Sequence, residues 1–332
     1  MDKLLNEFRQ DLTSGDWVLF SAGRAKRPHE ERKKEDYYQP KDGCPFEQPE
    51  KSGQKIVWGW PDNENWRVMV VKNKFPAVES GSSGLDRQIG PFNLYDAAGD
   101  HDVIIYREHD LNFSDFSVDQ GVDAVRVYKK RYREMAEASS DSEHIMIFHN
   151  YGREAGASIY HPHSQIISLP ILPPDISRSI YGSFRYYRAN KKKVYDVIVE
   201  WELAQKKRII YENDMFVVFC PFVSKFPYEV RIFSRDSHAH FEKMPDEFDK
   251  YLADALMNAL AKIKRALGDP SYNFFVHTAP AKENKLENFH EFYSWHIEIL
   301  PKFSVSAGFE LGTGLDINVV DPDMAAEELR KA

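Results

Sequence analysis

The chain has few of the features that mark secreted, membrane and nucleic-acid-binding proteins. Its 332 residues include only two cysteines, Cys44 and Cys220. These lie too far apart to suggest a disulfide framework, so we expect a reducing, cytoplasmic setting. No apolar run is long enough to span a bilayer, and the start, Met1 to Glu7, lacks the apolar segment of a signal peptide. A net charge of −8 argues against a general binder of nucleic acid or anionic membranes.

The sequence does contain enough apolar residues for a large core, and it contains an internal repeat. Hydrophobic residues make up 42% of the chain and aromatic residues 14%, which suits one large or two smaller domains. The tripeptide Lys-Phe-Pro occurs at 74–76 and again at 225–227. Each copy is followed by a predicted strand, a long helix and two more strands. The predicted strands cover 102–106, 144–148 and 166–170 in the first half and 229–233, 273–277 and 297–301 in the second.

The predicted helices lie at matching places in the two halves. The first begins near Ser117, whose spacing to Gln120 fits a capping box, and the second runs from about Pro245 to Gly268. We therefore predict an α+β fold made of two copies of one unit about a pseudo-twofold axis, with domains at 1–172 and 173–332. The connecting segment, 173 to about 207, is predicted to be helical. Its basic runs, 191–193 and 206–208, are typical of a solvated face.

The most informative motif is His161-Pro162-His163-Ser164-Gln165, which is followed by an apolar, β-branched run. On a strand, the two histidines and Gln165 lie on one face. A neutral imidazole is a good nucleophile toward an activated phosphate, and an amide can donate to a phosphoryl oxygen. The alternative is a pair of buried histidines whose nitrogens are satisfied by the backbone.

Three weaker motifs surround this one. The stretch from Asn150 to Ser158 contains glycines that allow a ligand to approach the backbone closely, although most such loops are only turns. The basic loop with Arg24, Lys26 and Arg27 could hold phosphates or lie on the surface. Cys44-Pro45-Phe46-Glu47 resembles half of a metal site. Its candidate partners are His109 and His161, and the alternative is a buried cysteine in a turn.

Together these residues resemble the galactose-1-phosphate uridylyltransferase family of the histidine-triad-related superfamily, over nearly the whole length. The blocks that carry the resemblance are residues 17–28, 44–46, 99–109, 150–165 and 309–314. The resemblance implies two tandem histidine-triad-like units, each an antiparallel sheet with helices. The first, 1–172, would be the catalytic half with a zinc knuckle, and the second, 173–332, would carry a degenerate site.

The resemblance also implies a ping-pong reaction. His163 would attack the α-phosphorus of a UDP-hexose and expel a sugar 1-phosphate, and a second hexose 1-phosphate would then take the nucleotidyl group. Gln165 and Asn150 would hold the phosphoryl oxygens. The nucleotide, phosphates and hexose would be bound by Arg24, Arg27, Asn73, Gly156, Ser158, Phe309 and Glu310. A structural zinc would lie on Cys44, Glu47, His109 and His161. The family is commonly dimeric, which implies a homodimer with each active site completed across the interface.

The chain departs from the family pattern in three places. Glu47 replaces the second cysteine of the zinc knuckle. Glu298 stands beside His277 and His296, where family members with a second metal have another histidine, so no iron is expected. Ser164 stands where well-known uridylyltransferases often have glycine. The same serine occurs in ADP-glucose phosphorylase, a related branch in which phosphate accepts the nucleotide.

These observations leave three functional hypotheses. The leading one is a UDP-hexose:hexose-1-phosphate uridylyltransferase of galactose metabolism. The alternative is an NDP-sugar (ADP-glucose) phosphorylase or hydrolase on the same fold. The third is an inactive homologue that binds nucleotides without forming a covalent intermediate. All three imply small-molecule partners, a nucleotide sugar and a sugar 1-phosphate or phosphate, and none implies nucleic acid or a membrane.

Overall fold

A computed structural model of the chain describes residues 6–21, 23, 37–81, 87–138, 142–282, 288–303 and 307–332. The strands in these ranges are β1 (Glu7–Gln10), β2 (Trp17–Phe20), β3 (Ile56–Trp60), β4 (Val68–Lys72), β5 (Arg87–Ile89), β6 (Phe92–Leu94), β7 (His101–Tyr106), β8 (His144–Tyr151), β9 (His163–Leu169), β10 (Ile209–Glu212), β11 (Phe216–Phe219), β12 (Val230–Ser234), β13 (Tyr272–His277), β14 (His296–Pro301) and β15 (Asp316–Asn318). The α-helices are α1 (Val118–Ala138), α2 (Pro174–Asn190), α3 (Val194–Gln205), α4 (Asp249–Leu267), α5 (Gly308–Thr313) and α6 (Pro322–Lys331).

Ten strands form one antiparallel sheet in the order β10-β11-β12-β14-β13-β8-β9-β7-β4-β3. The five strands that precede residue 173 lie on one side of the sheet, and the five that follow it lie on the other. The halves meet where β8 pairs with β13, with Phe148 opposite Phe275. Counted outward from this pair, β8, β9, β7, β4 and β3 match β13, β14, β12, β11 and β10. The predicted α+β fold and its repeated strand order are therefore confirmed, while the division at residue 173 stays a prediction.

One face of the sheet is covered by the two long helices. The main hydrophobic core joins residues of α1 and α4 to strand residues such as Ile104, Ile166 and Ile297. Side chains alternate along a strand, so the neighbours of these residues face the other way. On that opposite face Val103 and Ile105 pack in a smaller cluster with Phe46 and Trp66. The histidine motif lies on this second face, which the long helices leave free.

The helix ends follow the predicted signals. Ser117 N–H donates to Gln120 Oε1 (2.8 Å), and Gln120 N–H donates to Ser117 Oγ (3.4 Å), which completes the capping box before α1. Helix α4 ends at Gly268, whose φ of 70° is a left-handed conformation that favours glycine. The N-terminus of α1 and the C-terminus of α4 therefore end at residues that satisfy terminal backbone groups.

The segment between the halves is helical as predicted, but its basic residues are not all solvated. It forms α2 and α3, and Arg208 beyond α3 is only 2% exposed. Arg208 Nη2 lies 3.0 Å from Glu202 Oε2, and Arg208 also pairs with Asp323. The prediction of a solvated face is therefore wrong at Arg208. Its guanidinium is buried against two carboxylates, and one of them, Asp323, lies far along the chain.

Two smaller sheets complete the fold. Strands β1, β2 and β15 form a three-stranded sheet in which β15 runs parallel to β2, so the two ends of the chain meet. Strands β5 and β6 form a separate hairpin. Among the described residues, the helices are all too short or too polar to cross a membrane.

Candidate active site

His163 is the first residue of β9, and the edge of the Phe46 ring faces it. The strand starts three residues before the predicted range 166–170, so it includes His163 and Gln165, whereas His161 precedes it. His163 pairs with Ile105 of β7, and it shares a face of the sheet with Gln165. The ring centroids of His163 and Phe46 are 5.1 Å apart in an edge-to-face arrangement. The side chain is held in place, yet 8% of the residue remains exposed.

Hydrogen bonding fixes which nitrogen of His163 carries its proton. His163 Nδ1 lies 2.9 Å from the carbonyl oxygen of His161, and a carbonyl can only accept. Nδ1 therefore carries the proton, and Nε2 has a free lone pair. Burial lowers the pKa of His163, which favours the neutral ring. The alternative of a backbone-satisfied histidine accounts for Nδ1 but not for Nε2, which has no hydrogen-bond partner among the described residues.

Gln165 lies on the same face of β9, and Asn73 reaches it from the loop after β4. Asn73 Nδ2 donates to Gln165 Oε1 at 3.4 Å. A third residue, His101, was not predicted as a site residue, and its Nε2 lies 2.9 Å from the same Gln165 oxygen. His101 and Gln165 come from β7 and β9, and only the register of the two strands brings them together.

Asn150 lies near the end of β8, close to His163. The last residue pair between these strands is His149 with Ser164, so Asn150 and His163 come next on the ladder. Asn150 Oδ1 accepts a hydrogen bond from Asn273 Nδ2 (2.8 Å), which leaves the amide NH₂ of Asn150 available as a donor. Gly156, in the loop after β8, has a φ of 86° that favours glycine. A Cβ there would lie 4.0 Å from Asn150 Nδ2, so the loop and the amide border one space.

The remaining predicted ligand-binding residues have no described contact with His163 or Gln165. Ser158 is exposed, and its carbonyl oxygen accepts from Gln39 Nε2 at 3.2 Å. Phe309 is 43% exposed on α5, beside Glu310, whose Oε2 accepts from Ala307 N–H at 3.0 Å. Within the described residues no contact joins Phe309 or Glu310 to His163. The predicted phosphate-binding arginines, Arg24 and Arg27, lie outside the described residues.

Three of the four predicted metal ligands, Cys44, His109 and His161, lie close enough together to bind one metal ion, and Glu47 contacts both histidines. His109 Nδ1 lies 3.1 Å from His161 Nδ1 and 2.8 Å from Glu47 Oε1. His161 Nδ1 lies 3.5 Å from Glu47 Oε1 and 3.6 Å from Cys44 Sγ. Spacings of about 3.4 Å are what a tetrahedral zinc site with ligand bonds of about 2.1 Å requires. Glu47 Oε1 is close enough to both histidines to be a candidate fourth ligand.

The hydrogen-bonding pattern of this cluster fits a site for a cation. His109 Nε2 faces the Gln39 carbonyl (2.8 Å) and His161 Nε2 faces the Tyr106 carbonyl (2.6 Å), so both Nε2 atoms carry the protons. Both Nδ1 atoms then present lone pairs to each other and to the carboxylate of Glu47. Burial lowers the pKa of His161 to about 4, which disfavours relief of this contact by protonation of His161. A zinc ion would relieve it, and the Nε2–H bonds to carbonyls are the outer hydrogen bonds that metal-binding histidines usually make.

We expect removal of zinc to destabilise the protein. Protein purified without chelators should contain about one zinc per chain. Chelation should lower the melting temperature by on the order of 5–10 °C. Glu47→Gln should weaken zinc retention, whereas Glu47→Cys is the matched control that should preserve it. Elemental analysis and thermal melts measure both effects, and zinc-free protein from such a purification would contradict the assignment.

Comparison with known proteins places this site in a family. A family model described as the N-terminal domain of galactose-1-phosphate uridyl transferase matches residues 1–173. This chain belongs to the galactose-1-phosphate uridylyltransferase family. A second family model, a domain of unknown function (DUF4921), matches residues 92–332. The chain is thus an enzyme of the uridylyltransferase family, and the resemblance expected from the sequence is confirmed.

Individual relatives of the family match the chain over nearly its whole length. ADP-glucose phosphorylase of Arabidopsis thaliana is 33% identical over 98% of this chain and 92% of its own. Galactose-1-phosphate uridylyltransferase of Thermotoga maritima is 28% identical over 98% of each chain. The crystal structure of an Arabidopsis thaliana ADP-glucose phosphorylase with bound ADP-glucose superposes with a TM-score of 0.85, at 32% identity over 99% of each chain. A solved uridylyltransferase superposes with a TM-score of 0.75, at 25% identity over 98% of each chain.

Ser164 anchors a buried hydrogen-bond cluster on the far side of β9 from His163. Its Oγ lies 2.7 Å from Tyr106 OH, 2.6 Å from Tyr128 OH and 2.9 Å from His149 Nδ1. The two tyrosine hydroxyls are themselves 2.6 Å apart. This cluster lies on the helix-covered side of β9, opposite His163 and Gln165. Ser164 therefore holds β9 in place from the helix-covered side of the sheet, and its side chain points away from His163 and Gln165.

The second half of the family fold has a different group at the matching positions. His296 and Glu298 of β14 match His163 and Gln165 of β9, and His277 lies opposite His296. These three residues are close enough to bind a metal. However, Arg231 Nε lies 3.5 Å from Glu298 Oε2, so a fixed positive charge already faces that carboxylate. The expectation that this group binds no iron stays a prediction. Glu298, a carboxylate, stands in the second half where Gln165 stands in the first.

Proposed function

We propose that the chain transfers a nucleotidyl group from a nucleoside-diphosphate sugar to a phosphate-bearing acceptor through a covalent intermediate on His163. The observation that carries this proposal is the hydrogen bond from His163 Nδ1–H to the His161 carbonyl (2.9 Å). It leaves Nε2 unprotonated on the open face of the sheet. A strand-held imidazole in one fixed tautomer is what in-line attack on phosphorus requires.

In the first step, Nε2 of His163 attacks the α-phosphorus. A P–N bond forms while the P–O bond to the sugar 1-phosphate breaks, and the leaving group departs as a stable anion without a strong general acid. The ring becomes positively charged, and the His161 carbonyl stabilises the Nδ1 proton. In the second step, an acceptor oxygen attacks the same phosphorus and restores neutral His163. The amide groups of Gln165 and Asn150 are the donors available to the phosphoryl oxygens.

The first candidate for the overall reaction is uridylyl exchange between a UDP-hexose and a hexose 1-phosphate. The family model that matches residues 1–173 supports it. So does the Thermotoga maritima uridylyltransferase, which is 28% identical over 98% of this chain. In such an exchange one hexose 1-phosphate leaves and another attacks, and both react at the same nucleotidyl-histidine. One site with a single histidine and its phosphoryl donors, as in the first half of this chain, is therefore sufficient.

The second candidate is phosphorolysis of ADP-glucose, in which inorganic phosphate is the acceptor. The Arabidopsis thaliana ADP-glucose phosphorylase supports it with 33% identity over 98% of this chain. The ADP-glucose-bound structure from that organism adds a TM-score of 0.85. Ser164 is the third observation, because this serine is a feature shared with that branch.

The two candidates separate in an assay of two donors against two acceptors. UDP-glucose or ADP-glucose is mixed with galactose 1-phosphate or inorganic phosphate, and the nucleotide products are separated by chromatography. UDP-galactose from UDP-glucose and galactose 1-phosphate supports the first candidate. ADP from ADP-glucose and phosphate supports the second. No transfer from either donor to either acceptor would contradict the proposed reaction.

We also propose that zinc on Cys44, Glu47, His109 and His161 has a structural role and that the protein is a homodimer. When bound, zinc would fix the segment that contains the His161 carbonyl, and this carbonyl sets the tautomer of His163. Light scattering tests the dimer, for which we expect the molar mass of two chains.

A further inference from the structure

We propose that His101 is a positioning residue that fixes the carboxamide of Gln165, with its oxygen turned away from the substrate and its NH₂ turned toward the phosphoryl group. This inference rests on the proposed function, because it assigns a role to Gln165 in nucleotidyl transfer. Two backbone N–H groups, which can only donate, determine the orientation of these side chains.

The strand register places His101 next to Gln165. Strands β7 and β9 are antiparallel, with Val103 opposite Gln165 and His101 opposite Ile167. Side chains of paired residues lie on one face, and diagonal neighbours two positions apart are within reach of long side chains. His101 is therefore a diagonal neighbour of Gln165, on the face that carries His163.

The first backbone group sets the tautomer of His101. Ala77 N–H lies 3.1 Å from His101 Nδ1, and a backbone N–H can only donate. Nδ1 must then be the unprotonated nitrogen, and the single proton of a neutral ring lies on Nε2. Burial lowers the pKa of His101, which favours this neutral form. His101 Nε2–H therefore donates to Gln165 Oε1 at 2.9 Å.

The second backbone group orients Asn73 in the same way. Phe75 N–H donates to Asn73 Oδ1 (2.9 Å), so the NH₂ of Asn73 points in the other direction. That NH₂ lies 3.4 Å from Gln165 Oε1 and 3.3 Å from His101 Nε2. Because His101 Nε2 carries its own proton, Gln165 Oε1 is the acceptor for both groups. Gln165 thus meets two donors on one side and can present only its oxygen to them. Its own NH₂ is left on the other side, free to donate to a phosphoryl oxygen. A flipped amide would place donor against donor at both contacts.

The second half of the chain lacks the contact between a histidine and an amide. The arrangement of His101 and Gln165 therefore occurs only in the half that contains His163, among the described residues. Arg231 is opposite Glu298 there, as Val103 is opposite Gln165, so Glu229 matches His101. Arg231 Nη2 lies 2.8 Å from Glu229 Oε1, and its Nε lies 3.5 Å from Glu298 Oε2. A carboxylate at the position of Gln165 can only accept while ionised, so the second half presents no amide donor.

Kinetics of covalent labelling test the inference in two backgrounds. The probe is the donor, UDP-glucose or ADP-glucose, that labels the wild type faster. His101→Leu should slow formation of the nucleotidyl-histidine by about 10-fold, the worth of one ordinary hydrogen bond, with little change in KM. His101→Gln is the conservative control. Its amide can accept from Ala77 N–H and donate to Gln165, so it should stay within about 3-fold of the wild type. In a Gln165→Ala background, His101→Leu should have no further effect.

Two kinetic results would overturn the inference: an unchanged rate in His101→Leu, or an equal loss with and without Gln165. A separate measurement does not depend on activity. Nitrogen NMR of histidine-labelled protein, with His101 assigned by its absence from His101→Gln, should show the proton on Nε2 at neutral pH. A proton on Nδ1 would overturn the inference even if transfer proceeds. A wild type that forms no label with either donor would contradict the proposed function, and the position of the His101 proton would still decide the geometry on which this inference depends.

Discussion

Replacement of His163 by glycine is expected to abolish nucleotidyl transfer, with a loss on the order of 10⁴-fold or more. The variant removes the atom that would form the bond to phosphorus, and no other described imidazole lies on the same face beside Gln165 with a free Nε2. The chain should remain folded, because His163 is the first residue of β9 and, among the described residues, its side chain hydrogen-bonds only to the His161 carbonyl. Added imidazole should restore part of the transfer by entering the space that the side chain leaves.

His296→Gly is the matched control for this experiment. His296 begins β14 as His163 begins β9, and its Nδ1 also faces a carbonyl two residues earlier, that of Ser294, at 3.2 Å. It lies in the half that lacks an amide at the matching position, so transfer should persist in this variant. Steady-state assays and melting curves of both variants measure the effect. Full activity in His163→Gly, or loss of activity only in His296→Gly, would contradict the assignment of the nucleophile.

The second large effect is expected on stability, from Arg231→Met. Arg231 lies among Glu229, Glu298 and Asp11, and Glu229 is fully buried. Burial raises the pKa of Glu229 to about 7 despite the arginine beside it. Without that arginine the buried carboxylates are left unpaired, which should lower the free energy of unfolding by about 3–5 kcal/mol. Urea denaturation measures this change.

The loss should depend on pH in a defined direction. Unpaired buried carboxylates take up protons more readily when folded than when unfolded. The variant therefore loses stability as pH rises from the unfolded pKa of glutamate to the higher pKa of the folded state. The deficit of Arg231→Met should therefore be larger at pH 8 than at pH 5. Arg235→Met is the control, because Arg235 pairs with Glu212 at the surface and should change stability by less than about 1 kcal/mol. Equal effects of the two variants would contradict the role of Arg231.

The repeat could be predicted from the sequence because each of its elements is marked by residues that are close together in the chain. Lys-Phe-Pro, the capping box at Ser117 and Gly268 after α4 each act through neighbouring residues, and the strands carry β-branched runs. The histidine motif and Asn150 likewise lie in one continuous stretch that ends in β9. Patterns of this kind can be recognised in a single sequence without comparison to others. The matching order of strands in the two halves then follows from the duplication.

The contribution of His101 could not be predicted, because it depends on strand register and on two backbone N–H groups in another loop. Nothing near His101 in the sequence marks it, whereas His163 has a second histidine and a glutamine beside it. The burial of Arg208 was missed for the same reason, since Asp323 lies far along the chain. The predicted metal site is an intermediate case: the spacing indicated Cys44 and Glu47, but only the fold shows that Glu47 Oε1 reaches both histidines.

The central claim is that His163 carries the nucleotidyl group, and covalent labelling tests it most directly. The protein is mixed with UDP-glucose or ADP-glucose labelled in the α-phosphate, without an acceptor, and quenched in base. The account predicts label that is stable in base and labile in acid, present on the wild type and on His296→Gly and absent from His163→Gly. No label on the wild type from either donor, or label that persists on His163→Gly, would contradict it.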